Sequence, residues 1–265
     1  MDESANAHAH RFRTAAAHYL KGRPEYSATL IADVASFIGL DGTHRAMDLG
    51  CGPGQLALAF APLVAEMVAL DPEPAMLEIA RARAAEAGAA IRFVSGGSDD
   101  LSPALGRFRL VAIGRAFHWT DRARTLAALD GLIEPAGAVA LFGDRHLDDV
   151  PENAWQPPYR ALLDRYGAED TTHPRRKAPG WWRNESLLLD SPFRRLERIA
   201  VIERRRTPVE SFVDRALSMS STAPDRLGDK TDAMIGEIAA LMAAHASDGM
   251  VAEVIETHAL IARRA

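Results

Sequence analysis

The sequence has 265 residues, 48% of them hydrophobic, so it can bury one sizeable core, which favours one elaborated domain over two independent ones. Its net charge of −5 excludes a general electrostatic attraction to nucleic acid or to an anionic membrane surface. No apolar run reaches the ~18 residues of a membrane-spanning helix, and the N-terminal residues lack the apolar segment of a secretion signal. A single cysteine, Cys51, leaves no internal disulfide. We therefore expect a cytoplasmic protein.

In chain order, apolar strands alternate with amphipathic helices through the first half of the sequence. The N-terminal helix, predicted within residues 8–26, is interrupted at Gly22 and Pro24, and Ser27 suits the N-cap of a second helix that ends at Gly39. Further helices are predicted at residues 55–65, 74–87 and 121–133, and strands at residues 44–49, 67–70, 91–94, 109–113 and 138–142. This alternation predicts a doubly wound α/β fold, a parallel sheet with helices on both faces.

The pattern changes after residue 143. Residues 144–193 are rich in proline and are predicted to form an insertion or lid that is helical around residues 154–166. The remaining predicted elements are a strand at residues 196–204, helices near residues 208–219 and 232–245, and a closing strand at residues 251–262. We therefore predict a single domain with these parts: a core at 27–143, an N-terminal lid at 1–26, the insertion at 144–193, and closing strands and helices at 194–265.

The first predicted strand ends in a glycine-rich turn, Asp48-Leu49-Gly50-Cys51-Gly52-Pro53-Gly54. Glycines allow a ligand to approach the backbone closely. Asp71 follows Gly50 at roughly the ~20-residue spacing at which an acid meets a ribose hydroxyl in nucleotide-binding βαβ units. The turn therefore indicates a cofactor that contains adenosine. Its third glycine comes one position earlier than in a dinucleotide fingerprint, and Pro53 removes a backbone donor.

The charge of Asp48 distinguishes cofactors with phosphate groups from cofactors without them. This carboxylate stands two residues before the first glycine, where it repels a pyrophosphate and attracts an α-amino group. S-adenosylmethionine has an amino group, a sulfonium and a ribose, and it has no phosphate. The sign of the charge therefore favours S-adenosylmethionine over NAD.

The turn and the segment L-D-P-E-P-A-M-L-E-I-A-R at residues 70–81 resemble the nucleotide-binding motifs of class I S-adenosylmethionine-dependent methyltransferases. Three further segments are similar to the quinone-biosynthesis-like, small-molecule branch of that family: Y-L-K-G-R-P-E-Y at residues 19–26, the loop after the third strand, and A-F-H-W-T-D at residues 116–121. The resemblance covers about residues 10–145. It implies a Rossmann-like fold with seven strands, the last antiparallel, and S-adenosylhomocysteine as the product.

The resemblance implies roles for the residues around the turn. Asp48 and Gly50 are expected to hold the methionine end of the cofactor, and Gly52 to allow its approach. Asp71 is expected to accept hydrogen bonds from both ribose hydroxyls. Arg115, after the fourth strand, is expected beside the sulfonium and to contact it through its backbone.

The adenine end is assigned to the segments after the second and third strands. Pro72 or Met76 is expected to pack on the adenine face. Relatives often carry an acid beside the adenine amino group where this sequence has Gly97, so Ser98 and Asp99 are the candidates for that contact.

Aromatic residues suggest where the lid and the methyl acceptor lie. Tyr19, Arg23 and Tyr26 are predicted to close over the cofactor, with Tyr26 towards the substrate; the alternative is a surface helix that packs its tyrosines. The tryptophans predicted to form walls for a flat or apolar acceptor are Trp119, Trp155, Trp181 and Trp182. Packing in the core or lid explains the same tryptophans equally well.

His118 is the candidate general base, because it follows a strand at the edge where α/β sites open. The alternative is a structural histidine that bonds the backbone. Methyl transfer displaces an activated leaving group, so positioning alone can supply much of the rate. A base is needed only when the acceptor starts protonated.

The sequence therefore predicts an S-adenosylmethionine-dependent methyltransferase that acts on a small molecule, without a metal, a nucleic acid or a membrane as partner. A tRNA or protein acceptor is the alternative within enzymes. A binding protein without catalysis is the alternative outside them. The sequence leaves O-, N- and C-methylation open.

Overall fold

A computed structural model describes residues 16–167 and 182–265. Its helices are α1 (Ala16–Gly22), α2 (Ala28–Ile38), α3 (Gln55–Phe60), α4 (Pro74–Glu86), α5 (Arg122–Asp130), α6 (Gln156–Tyr166), α7 (Asn184–Leu189), α8 (Val209–Leu217), α9 (Pro224–Leu227) and α10 (Thr231–Ala244). Its strands are β1 (Arg45–Leu49), β2 (Glu66–Asp71), β3 (Ile91–Ser95), β4 (Phe108–Gly114), β5 (Ile133–His146), β6 (Arg195–Pro208), β7 (Ala246–Ser247) and β8 (Met250–Arg263). Residues 8–15 of the predicted first helix lie outside the described residues.

The described chain forms two compact units. The larger unit contains residues 25–144, 182–201 and 257–265, and the smaller unit contains residues 16–24, 145–167 and 202–256. The boundary falls within β5, β6 and β8. The predicted division into core, lid, insertion and closing segments stays a prediction.

The larger unit is built on a sheet with the strand order β3-β2-β1-β4-β5-β8-β6. The pairs β1–β2, β1–β4, β2–β3 and β4–β5 are parallel. Asp48, near the end of β1, is aligned with Ala69 of β2 and with Ala112 of β4. The carboxyl ends of these strands therefore meet at one edge, which is where ligands bind in open α/β sheets.

Both faces of this sheet are covered. Successive strand residues point to opposite faces, and Ala46 belongs to the apolar cluster that contains α2 and α3 residues, whereas Met47 belongs to the cluster that contains α5 and α7 residues. Leu30 and Phe60 are fully buried in the first cluster and Leu129 in the second. The predicted doubly wound, mostly parallel fold is confirmed.

Some predicted boundaries are wrong for local reasons. The helix predicted at residues 55–65 ends at Phe60 and continues as a 3₁₀ turn with Pro62 in its first positions, because proline lacks the N–H that an α-helix needs. β5 begins at Ile133, so Pro135 and Gly137 lie inside the strand, and the β4–β5 register shifts between Phe108 and Leu110. The short elements α7, α9 and β7 were not predicted.

The smaller unit has its own apolar core, which includes Trp155, Phe212, Met234, Ile238 and Val251. α1 and α8 pack together there, and α8 packs against α10.

Throughout residues 16–167 and 182–265, no helix combines the length and apolar character required to cross a bilayer.

Candidate functional site

The glycine turn between β1 and α3 has one open side. Gly50, Gly52 and Gly54 all adopt positive φ, at 72°, 52° and 82°, a region that residues with a Cβ rarely occupy. A Cβ on Gly50 would come 2.6 Å from the Cβ of Ala116, and one on Gly54 would come 3.2 Å from the Cβ of Ala80. A Cβ on Gly52 would meet no described atom within 4 Å. Gly50 and Gly54 therefore face protein, and Gly52 faces the space that the sequence assigns to the cofactor.

Asp71 closes the turn from the end of β2. Its Oδ2 accepts a hydrogen bond from the Gly52 amide at 2.7 Å, and its Oδ1 accepts one from the Glu73 amide at 2.9 Å. Burial raises the pKa of Asp71, while these two backbone hydrogen bonds oppose the rise. Each carboxylate oxygen has a second lone pair, so Asp71 can still accept hydrogen bonds from ribose hydroxyls.

Asp48 is buried with one oxygen unsatisfied. Only 1% of its surface is exposed, and its Oδ2 accepts a hydrogen bond from the Ala57 amide at 3.0 Å. Its Oδ1 has no hydrogen-bond partner within the described part of the chain. Burial, together with the charge of Asp71, raises the pKa of Asp48 to about 7 despite the bond from Ala57. A cationic donor would stabilise this carboxylate, because an unpaired buried acceptor is costly.

The segment after β2 that is predicted to pack on adenine contains one exposed and one buried candidate. Pro72 is exposed, whereas Met76 is 3% exposed on α4. A Cβ on Gly97 would lie 3.9 Å from Pro72, so the two candidate segments face each other. Of the two residues predicted for the adenine face, Pro72 offers the accessible surface.

The loop after β3 is held by an acid that the sequence did not single out. Asp100 accepts a hydrogen bond from the Gly97 amide at 2.8 Å. Ser98 is half-buried, and Asp99 is exposed and forms an ion pair of 3.5 Å with Arg124. The contact of Ser98 or Asp99 with adenine stays a prediction. Nothing in the sequence of the run Ser98-Asp99-Asp100 distinguishes the acid that binds the Gly97 amide.

Arg115 forms a connected cluster after β4. Its backbone has a φ of 55°, and its amide donates to the Phe142 carbonyl at 3.1 Å. Its guanidinium donates to Asp144 at 2.5 Å and to Gln55 Oε1 at 3.1 Å, and lies 4.5 Å from the ring centre of Tyr26. Arg115 was predicted to act through its backbone. Its amide is bonded to Phe142, and its side chain links the carboxyl ends of β4 and β5 to the start of α3.

His118 and Trp119 lie in a 3₁₀ turn that follows β4. Both side chains are half-buried, and their ring centres are 4.8 Å apart. Trp182 is 62% exposed, and its carbonyl accepts a hydrogen bond from Arg122 at 2.8 Å. The roles of His118 as a base and of these tryptophans as substrate walls stay predictions. Trp181 lies outside the described residues.

Three predicted site residues belong to the smaller unit. The Arg23 guanidinium lies 5.6 Å from the ring centre of Tyr19 and donates to the Ser218 carbonyl at 3.3 Å. Trp155 is only 2% exposed, with ring centres of Phe212 and His146 at 4.8 Å and 4.9 Å. The core-packing alternative therefore describes Trp155, and the prediction of an acceptor wall is corrected there.

The same unit contains a buried charged cluster that the sequence did not reveal. Arg215 donates to both carboxylate oxygens of Glu253, at 3.1 Å and 3.3 Å, and to the Gly22 carbonyl at 3.1 Å. Glu253 also contacts His146 Nε2 at 2.6 Å and accepts a hydrogen bond from Thr207. Burial alone would raise the pKa of Glu253, but these partners lower it to about 2. The cluster is a structural ion pair joining α1, α8 and β8.

The described residues contain no group of three or more His, Cys, Asp or Glu side chains placed to bind a metal.

The larger unit brings together the glycine turn, Asp48, Asp71, Pro72 and the Arg115 cluster. This fold, with a glycine turn after β1 and an acid at the end of β2, matches the Rossmann-like fold of class I methyltransferases.

Comparisons with known proteins agree with that class. A family model described as "Methyltransferase domain" matches residues 46–137. The chain is 31% identical over 134 residues to a trans-aconitate 2-methyltransferase from Methylobacterium radiotolerans, covering 49% of this chain and 47% of the relative. It is 29% identical over 130 residues to a probable S-adenosylmethionine-dependent methyltransferase from Saccharomyces cerevisiae, covering 48% of this chain and 44% of the relative. The chain spans about half the length of these curated relatives.

A solved structure extends the likeness in fold. It is a S-adenosylmethionine-dependent methyltransferase from Geobacter sulfurreducens in complex with S-adenosyl-L-homocysteine, with a TM-score of 0.55, 15% identity, and coverage of 96% of this chain and 97% of that one. Residues 46–137 therefore form a methyltransferase domain, similar to those of class I S-adenosylmethionine-dependent methyltransferases. The family predicted from the sequence is confirmed.

Proposed function

We propose that this protein transfers a methyl group from S-adenosylmethionine to a small-molecule acceptor. The observation that carries the proposal is the unsatisfied Oδ1 of Asp48, buried at the carboxyl edge of the sheet directly before the open glycine turn. A buried acceptor with a negative charge favours a ligand with a cationic donor and disfavours a phosphate.

The residues present fit this cofactor. Asp48 would accept from its α-amino group, Asp71 from its ribose hydroxyls, and Pro72 would pack on its adenine. When bound, S-adenosylmethionine supplies a methyl group on a sulfonium, which is an activated leaving group. The protein's own contribution is to fix both reactants in line and to exclude water, since proximity and orientation supply a large part of such rates.

A small acceptor is supported by charge and by the relatives. The net charge of −5 gives no electrostatic reason to bind tRNA, and one relative takes its name from a small carboxylic acid, trans-aconitate. His118, which follows β4, is the proposed base for an acceptor that enters protonated. A cytoplasmic location remains part of the proposal.

The test is a screen for S-adenosylhomocysteine formation with purified protein and defined acceptors. The panel contains trans-aconitate and other small carboxylic acids, phenols, catechols, amines and thiols, with bulk tRNA and a protein extract as separate arms. Turnover with a small acceptor and none with the two macromolecular arms is the expected result. Turnover confined to tRNA or protein would contradict the small-molecule proposal, and cofactor binding without turnover in any arm would favour the binding-protein alternative.

A further inference from the structure

We infer that the side-chain amide of Gln55 binds the carboxylate at the amino-acid end of the cofactor. Gln55 is the first residue of α3 and directly follows the glycine turn. Its Nε2 is buried and has no hydrogen-bond partner among the described residues. The inference rests on the proposed function, because it assigns a part of the same cofactor site.

The orientation of this amide is determined by Arg115. Arg115 Nη1 donates to Gln55 Oε1 at 3.1 Å, and a guanidinium has only donors, so the oxygen of the amide must face it. Nε2, with its two hydrogens, therefore points away from Arg115. A buried N–H group without a partner costs free energy until an acceptor binds it.

The surroundings hold this donor in place and favour an anion over a neutral acceptor. Asp144 binds the Arg115 guanidinium at 2.5 Å, and the ring of Tyr26 lies 4.5 Å from it, so Arg115 is held on two sides. The bond from the cationic guanidinium polarises the Gln55 amide and makes Nε2–H a stronger donor. A charged carboxylate gains more from such a donor than a neutral oxygen does.

Asp48 and Gln55 are complementary at the two ends of the turn. Asp48 Oδ1 lacks a donor and Gln55 Nε2 lacks an acceptor within the described chain. Both are tied to the start of α3, because Asp48 Oδ2 accepts from the Ala57 amide, two residues after Gln55. An α-amino acid group carries an ammonium and a carboxylate on one carbon, so it can satisfy both groups at once.

The test compares two ligands by calorimetry. S-adenosylhomocysteine has the whole amino-acid group, whereas its decarboxylated analogue keeps the amino group and lacks only the carboxylate. The variants are Gln55→Ala and Gln55→Glu, and the matched control is Gln156→Ala, which changes the only other glutamine of the sequence, outside the proposed site. Thermal unfolding without ligand checks that each variant is folded.

We expect Gln55→Ala to lower the affinity for S-adenosylhomocysteine by about 10- to 100-fold, the range for a lost hydrogen bond to a charged group. The affinity for the decarboxylated analogue should fall by less than about twofold. Gln55→Glu should lower the affinity for S-adenosylhomocysteine further, since it places a second carboxylate beside the carboxylate of the ligand. The control Gln156→Ala should change the affinity for neither ligand. Equal losses for both ligands, or no loss, would overturn the inference while leaving the proposed function intact. If the unaltered protein binds neither ligand, the proposed function itself is contradicted.

Discussion

Asp71 Oδ2 accepts a hydrogen bond from the Gly52 amide at 2.7 Å, so the acid that ends β2 fixes the turn that follows β1. The carboxylate of Asp71 has this structural role, and in our proposal it has a second role as the acceptor of hydrogen bonds from the cofactor ribose. Asp71 is buried, with 7% of its surface exposed, and the remaining lone pairs of its carboxylate allow the proposed second role.

Asp71→Ala should weaken the binding of S-adenosylhomocysteine by about 1–3 kcal/mol, because hydrogen bonds to a charged group are lost. It should also lower the free energy of unfolding, because the amides of Gly52 and Glu73 lose their acceptor. Calorimetry and urea unfolding measure the two effects. Glu78→Ala, an exposed acid on α4, is the control and should change neither. Unchanged affinity in Asp71→Ala would refute the ribose assignment.

Alanine substitutions should separate the roles of two glycines. Gly50→Ala should mainly destabilise the fold, because the new Cβ would come 2.6 Å from Ala116. Gly52→Ala has room for the Cβ and should cost only about 1–2 kcal/mol of stability from its positive φ. The loss of binding free energy for the cofactor should exceed this loss of stability, because the new methyl group would occupy the space through which the cofactor is proposed to approach. A Gly52→Ala variant with normal affinity would show that the cofactor does not approach the turn there.

The stability of the protein should fall as the pH rises from about 4 to about 7, through Asp48. Its pKa is about 7 in the folded state against 3.8 as the ordinary value, so the folded state holds this proton more tightly. The free energy of unfolding should therefore fall by up to about 4 kcal/mol by pH 8, at about 1.4 kcal/mol for each unit of pKa difference between the folded and unfolded states. Urea unfolding of Asp48→Asn should lack this decline. Parallel curves for the variant and the unaltered protein from pH 4 to 8 would contradict the assignment.

Glu253 should act in the opposite direction. Its folded pKa of about 2 lies below the ordinary value of 4.5, so its stabilisation is present above pH 4.5 and is lost as the pH falls towards 2. Glu253→Gln should cost about 3–5 kcal/mol near pH 7, because it leaves the buried Arg215 charge unpaired.

The control for that cluster is Glu237→Gln, which removes an exposed ion pair with Arg165 and should destabilise the protein far less than Glu253→Gln does, because solvent screens an exposed pair. Urea unfolding measures both variants at pH 7. Equal losses in the two variants would show that the buried cluster has no special role in stability.

His118→Ala should leave the affinity for S-adenosylhomocysteine unchanged and slow methyl transfer by about 10²–10⁴-fold when the acceptor starts protonated. Single-turnover rates over a range of pH measure this effect. An unchanged rate with the true acceptor would make His118 a structural residue.

The elements that the sequence predicted best are those with short-range causes. The glycine turn, the alternation of strands and helices, and Asp71 at the end of β2 each follow from residues close together in the chain. The early end of α3 follows from Pro62, a local signal that the helical pattern concealed.

The features that were missed depend on contacts between distant residues. The hydrogen bonds of Arg115 with Gln55 and with Asp144 join three segments that are distant in the sequence. The hydrophobic periodicity of the sequence does not predict such long-range contacts. A tryptophan at position 155 is equally compatible with the wall of a cleft and with a packed core. Its packing against Phe212 and His146 distinguishes the two and places it in a core. The Arg215–Glu253 pair is hidden for the same reason.

The central claim is tested most directly by calorimetric titration of the unaltered protein with S-adenosylhomocysteine and, separately, with NAD. Asp48→Asn serves as the paired variant, since it removes the charge that we propose selects between the two cofactors. We predict binding of S-adenosylhomocysteine, a clear loss of affinity in Asp48→Asn, and no binding of NAD. Tight binding of NAD without a signal for S-adenosylhomocysteine would contradict the account.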